Sequence, residues 1–262
     1  MPTVKAKPDT LNEINKRFEQ KPLTHPVFLN SVPKCGTHLI RNIFRMFVMV
    51  EQQYHDTFIQ YPNLGQHLKA FQAITPRLSW GHLLFSDNSA IATADAVKLI
   101  IVRDPYDWVL ARARFFLSDN FDANLEHLKT GDITTDQLLN MMIFGIHQKV
   151  PTLSEIYTHN AVSWLAEDIK LVRYEELVKH LKQLDTDEAE AYFTDLLTVT
   201  GWKSLPADWR ERVQLGADRK QSGTARENLQ NVALEIPDEL PQRQKAMVDF
   251  AVPGLRRLLG YE

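Results

Sequence analysis

The sequence predicts an α/β fold with a central parallel sheet flanked by helices, and three observations carry that prediction. Three short apolar runs, "VFLNSV" (27–32), "KLIIVR" (98–103) and "IKLVR" (169–173), read as buried strands. Each leads directly into a segment of helical periodicity, and strands separated by helices pair in parallel. No repeat, low-complexity tract or Gly/Ser linker interrupts the 262 residues, so one domain is expected, with residues 1–24 peripheral to it.

The helical segments follow in order. "THLIRNIFRMFVMV" (37–50) repeats apolar residues at Leu39, Ile43, Phe44, Phe47 and Val48, and Thr37 is its expected cap. After the second run, Asp104 is placed to cap a helix and Pro105 to fill its first position, with "YDWVLARARFF" following. The third run opens into "YEELVKHLKQL", whose Glu175 and Glu176 suit the positive end of a helix. Residues 134–148, 187–199 and 237–259 read as further helices covering the sheet or a pocket. In parallel sheets ligands gather beyond the carboxyl ends of the strands, which is where Lys34, Arg103 and Tyr174 fall.

Composition narrows the functional classes. With 44% hydrophobic and 24% charged residues the chain can bury a full core. A formal net charge of −3 argues against a nucleic-acid binder that works through bulk positive charge, so any anion site must be local. The single cysteine, Cys35, excludes an internal disulfide and argues against a cysteine-based zinc site; no metal is expected, and a reducing compartment fits. Apolar stretches such as "FRMFVMV" are too short to cross a bilayer, and "MPTVKAKPDTLNE" lacks an apolar signal segment. A soluble cytoplasmic protein is the expectation.

The turn "PKCGT" (33–37) carries the first chemical signal. A strand-to-helix turn of small residues exposes backbone N–H groups that have no intrahelical partner, and the helix dipole adds positive character there. Lys34 contributes a full charge, Gly36 lets backbone approach a ligand, and Thr37 offers a hydroxyl donor. Such a turn can hold a phosphate-like or sulfate-like group, although the fragment alone fits a tight turn with a solvated lysine equally well. The nucleotide P-loop order G-x-x-x-x-G-K-[ST] is absent, since lysine here precedes glycine.

"PKCGTHLIRNIF" resembles the 5′-phosphosulfate loop of sulfotransferases that use 3′-phosphoadenosine 5′-phosphosulfate (PAPS), commonly written P-K-S/A-G-T-[T/H]. Four further elements follow in that family's order: "SWGHLLFS" with its His-Leu pair, "IIVRDPYDWVLARARFF", "YEEL", and the basic loop "DRKQSGTARENL", all within residues 28–229. The departures are specific. Cys35 stands in the small-residue slot, Leu39 where many members carry a tryptophan against adenine, and Ala111 where a serine usually meets the 3′-phosphate. The basic loop is one residue short of R-K-G-x-x-G, with Gln221 directly after Lys220.

The resemblance implies a cytosolic-type sulfotransferase that moves a sulfuryl group from PAPS to a hydroxyl or amino acceptor, releasing PAP. It implies Lys34 at the sulfuryl and leaving oxygens, and the loop residues Cys35, Gly36, Thr37 and His38, chiefly through their backbone N–H groups, at the 5′-phosphate. Arg103, Arg219 and Lys220 are implied at the 3′-phosphate, Tyr174 at the adenine edge, and His82 as the general base. A histidine suits that last role because it titrates near neutral pH. The acceptor would be a small molecule or a glycan or lipid hydroxyl, met by the segments around 51–75, 84–92 and 115–160; Trp80, Phe85, Phe115 and Phe116 would line its pocket or pack in the core. Arg112 and Arg114 would stand in for the serine contact missing at Ala111, or face solvent.

Two other readings remain open at this level. Cys35 and Arg41 satisfy the C-x₅-R spacing of cysteine-dependent phosphatases, although Leu39 and Ile40 occupy positions where such loops need small residues. A non-catalytic nucleotide-binding protein of the same fold is the second, in keeping with Leu39 and Ala111.

Overall fold

A computed structural model describes residues 3–4, 7–55, 58–118, 121–122, 125–223 and 234–261. Seven strands are present among them: β1 (Thr3–Val4), β2 (Val27–Ser31), β3 (Ile59–Gln60), β4 (Leu78–His82), β5 (Val97–Val102), β6 (Phe121–Asp122) and β7 (Ile169–Arg173). Five form one sheet in the order β3-β4-β2-β5-β7, every pair parallel, while β1 and β6 pair antiparallel on their own. All five residues of β2 are buried, as expected of a central parallel strand covered on both faces.

The helices are α1 (Leu11–Asn15), α2 (Thr37–Arg45), α3 (Asp87–Ala92), α4 (Pro105–Phe116), α5 (Thr135–Phe144), α6 (Leu153–Asn160), α7 (Tyr174–Leu181), α8 (Asp187–Leu197), α9 (Trp209–Ala217), α10 (Gln242–Ala251) and α11 (Leu255–Leu258). The three predicted strand-to-helix units are thus β2-α2, β5-α4 and β7-α7. The edge of the sheet was not predicted. β4 carries Ser79, Gly81 and His82 in place of an apolar run, and Gly81 is there for packing: a Cβ on it would lie 2.0 Å from the carbonyl oxygen of Ile59 on β3.

The described residues fall into two compact units, one comprising 8–102 and 159–222, the other 1–7, 103–158 and 223–262. The first holds the whole five-stranded sheet. Its core places Ile40, Ile43 and Phe44 of α2 among Val27, Leu29, Leu99 and Val213. Helix α9 approaches α2 closely enough that a Cβ on Gly216 would lie 2.6 Å from the Cα of Ile43. Buried cations in this unit are paired: Arg45 grips Asp9 at 2.8 and 2.9 Å, and Arg212 grips Asp208 at 2.6 and 3.1 Å.

In the second unit, Asp104 caps α4 as predicted, accepting from the Tyr106 N–H at 3.0 Å, and it also pairs with Arg256 at 3.0 Å. Arg112 does not face solvent. Its guanidinium is buried, donates to the carbonyls of Met142 (2.8 Å) and Pro151 (2.7 Å), and burial pushes its pKa down to about 9. Arg114 likewise donates to the Pro237 carbonyl at 2.8 Å. Phe115 and Phe116 are buried. Among the described residues no helix is long and apolar enough to cross a membrane, and no three His, Cys, Asp or Glu side chains are grouped to hold a metal.

Candidate functional site

The central strand β2 has β4 on one side and β5 on the other, so the chain changes direction across it, the position at which open parallel sheets form a ligand crevice. At the carboxyl edge β2 ends at Ser31, β4 at His82, β5 at Val102 and β7 at Arg173.

The turn after β2 is tied to the sheet by the Val32 N–H donating to the Ile101 carbonyl at 3.2 Å. Lys34 (φ 71°) and Gly36 (φ 96°) both adopt left-handed backbone, a shape that turns successive N–H groups toward a common point. Thr37 does not cap the helix, contrary to expectation. Gly36 is the N-cap, having no side chain to offer, and Thr37 is the first helical residue with its hydroxyl turned to Ser31 at 2.7 Å. The helix N-terminus is therefore not closed by a side-chain cap, which is what an anion cradle requires. Glycine is needed at 36 twice over, since a Cβ there would lie 2.6 Å from the ring of Tyr174. Tyr174, the first residue of α7, thus forms the wall behind the loop.

His82 is half-buried and held from below: its Nδ1 lies 2.8 Å from Ser31 Oγ and 3.1 Å from the Ser31 carbonyl. Burial, followed by the charge of Lys34, pushes its pKa down to about 4 against the raising effect of the Ser31 carbonyl. It is therefore neutral near neutral pH but a weaker base than a free imidazole, contrary to the expectation that it titrates near neutral pH. Asn30 secures the chain just beyond it, its side-chain amide accepting from the Leu83 N–H (2.8 Å) and donating to the Leu83 carbonyl (3.0 Å). Sequence reasoning missed Asn30 and Ser31 as site residues. The available signal was a polar pair inside an otherwise apolar strand, "VFLNSV".

His38 is neutral as well, pushed down to about 3 by burial and then by the charges of Arg41 and Lys34. Its ring lies 5.4 Å from that of Trp80, which also receives the Arg41 guanidinium at 4.3 Å and Phe58 at 5.5 Å. The phosphatase reading is not compatible with this arrangement. Arg41 is a helical residue stacked on Trp80, and Cys35 is buried with its Sγ toward the Pro33 carbonyl. Phe85 packs edge-on against Trp164 at 5.1 Å.

Arg219 and Lys220 lie on the single exposed turn Arg219–Gln221 after α9. That turn is anchored to α2, because Asn42 donates to the Gln221 carbonyl at 3.0 Å. The rest of the basic loop, 224–229, lies outside the described residues. Arg103 follows the last residue of β5, and its carbonyl accepts from the Tyr157 hydroxyl at 2.7 Å. Structure thus joins Lys34, Cys35, Gly36, Thr37, His38, His82 and Tyr174 around one strand edge.

No protein-family model matches the chain, and no curated protein matches it in sequence. Among solved structures, the crystal structure of mouse sulfotransferase SULT7A1 complexed with PAP superposes with a TM-score of 0.54 at 13% identity, over 94% of this chain and 89% of that one. The fold is sulfotransferase-like. The sulfotransferase-like architecture accounts for the five parallel strands and their flanking helices.

Proposed function

We propose that this protein is a PAPS-dependent sulfotransferase acting on a hydroxyl or amino acceptor. One observation carries the reading: Ser31 links the turn before α2, through Thr37, to a neutral histidine, His82, at 2.7 and 2.8 Å. The fold neighbour was solved with PAP, which adds support for an adenosine phosphate as the ligand. The residues present fit such a ligand, since the loop offers a helix start with no side-chain cap, a lysine, and a glycine that lets the backbone turn left-handed against Tyr174.

PAPS, when bound, supplies the activated sulfuryl group. The N–H groups of Gly36, Thr37 and His38 would hold its 5′-phosphate, and Lys34 would supply positive charge beside the leaving oxygen. Nε2 of His82 takes the acceptor's proton while Ser31 and Asn30 keep the ring and its strand in place. Arg103, Arg219 and Lys220 are assigned to the 3′-phosphate and Tyr174 to the adenine edge on motif resemblance.

Calorimetry with PAP tests the cofactor. Wild type is expected to bind, with Lys34→Ala and Arg103→Ala weakened; failure of wild type to bind PAP would remove the assignment. His82→Ala is expected to lower kcat by about 10²–10⁴-fold with PAP affinity nearly unchanged. Tight PAP binding without sulfation of any acceptor in a broad panel would favour the non-catalytic reading instead.

A further inference from the structure

Arg41 differs from the other inward-facing cations Arg45, Arg212 and Lys98 of its unit. Arg45 and Arg212 grip Asp9 and Asp208, and Lys98 lies 3.8 Å from Glu167. Three or four residues from Arg41 along α2 stand Thr37, His38, Phe44 and Arg45, and among the described residues its guanidinium makes no ion pair and no hydrogen bond. What it touches is the face of Trp80, at 4.3 Å. Stacking occupies the face of a guanidinium and leaves the N–H donors along its edge unused. Burial, and then the charge of Arg45, pushes its pKa down to about 10, so the surroundings favour an anion beside it.

The same cluster reaches His82. Trp80 and His82 are alternate residues of β4 and project from one face, about 7 Å apart along the strand. Phe58 spans them with its ring 5.5 Å from each, and His38 lies 5.4 Å from Trp80. All five side chains are half-buried, so each keeps part of its surface open to solvent.

We propose that Arg41 sets acceptor specificity, its guanidinium edge receiving the carboxylate of an acidic acceptor whose hydroxyl lies at His82. A carboxylate meets the guanidinium fork with two parallel hydrogen bonds, and the indole behind it holds the fork in one orientation. Phe58 and Trp80 supply the apolar span between the two ends of such a molecule. A neutral analogue leaves the partly desolvated cation without a counter-charge, and that difference is the basis of selection.

This inference deepens the sulfotransferase reading and rests on it for the placement of the hydroxyl, and the test separates the two. Binding is read by calorimetry, with and without PAP, for a panel of aromatic and aliphatic hydroxy acids, each paired with its own amide. Wild type is expected to hold its preferred acids about 10–100-fold more tightly than their amides. Arg41→Gln is expected to erase that preference with binding of PAP and of the amides within about 3-fold. Arg41→Lys, which keeps the charge but not the fork, is expected to retain part of it. A preference for acids in protein that does not bind PAP would leave the acidic subsite standing and remove the cofactor reading. A panel in which no acid is preferred over its amide, a preference unchanged in Arg41→Gln, or loss of PAP binding in that variant would overturn the inference.

Discussion

Two turns leave the carboxyl edge of neighbouring strands and enter helices, yet they finish those helices in opposite ways. After β5 the chain uses Asp104 and Pro105: the carboxylate accepts from the Tyr106 N–H, proline removes one orphan donor, and Arg256 neutralises the acid. After β2 the chain uses Lys34 and Gly36, both left-handed, and supplies no side-chain cap. The first helix start is closed for stability. The second has no side-chain cap, as is also true of α1, α7, α9, α10 and α11, so what sets it apart is the left-handed Lys34 in the turn before it.

The largest blow to this contrast falls on Gly36. Gly36→Ala must hold a left-handed backbone and meet the Tyr174 ring, so a loss of about 2–4 kcal/mol is expected in urea unfolding, together with loss of PAP binding in calorimetry. The double variant Gly36→Ala, Tyr174→Ala is expected to recover part of the stability by removing the clash alone.

Acid comes next. The pKa values of His82 and His38 are held down at about 4 and about 3, below the ordinary 6.5, so their neutral forms favour the fold. That stability is fully present above the ordinary value and is lost as pH falls from there toward about 4, because the unfolded chain takes up protons first. The urea midpoint is therefore expected to fall between about pH 7.5 and about pH 5, and to fall less in His82→Asn.

At the capped turn, Asp104→Ala is expected to cost about 1–2 kcal/mol, read as a lower urea midpoint. The smallest effect on transfer is expected from Cys35→Ser, which keeps the loop N–H groups. Sulfuryl transfer within about 3-fold of wild type would agree with a structural thiol, whereas abolition would reinstate a nucleophilic one.

The fold was legible where strands carried apolar runs: β5 is buried from Lys98 to Val102, as a central parallel strand demands, while β7, buried only at Val172, still shows Ile169, Leu171 and Val172. β4 was not, since Ser79, Gly81 and His82 answer to neighbours rather than to apolar periodicity: Gly81 to the backbone of Ile59, His82 to Ser31. The loop was legible because its residue types are rare in combination. Its support was not, because Asn30 and Ser31 act on Leu83 and His82, 53 and 51 residues away. The same distance problem hid the burial of Arg112: the carbonyls of Met142 and Pro151 that accept from it lie 30 and 39 residues on.

The bond from Asn42 to Gln221 has a structural corollary. One rigid rod, α2, begins at the bare amides and, five residues later, carries the turn bearing Arg219 and Lys220. Their offset along its axis is set by the helical rise, roughly 7–8 Å, and is indifferent to how many residues follow Ser222. Lengthening the chain after that point would leave the spacing between the two cationic features untouched, whereas tilting α2 would carry both together.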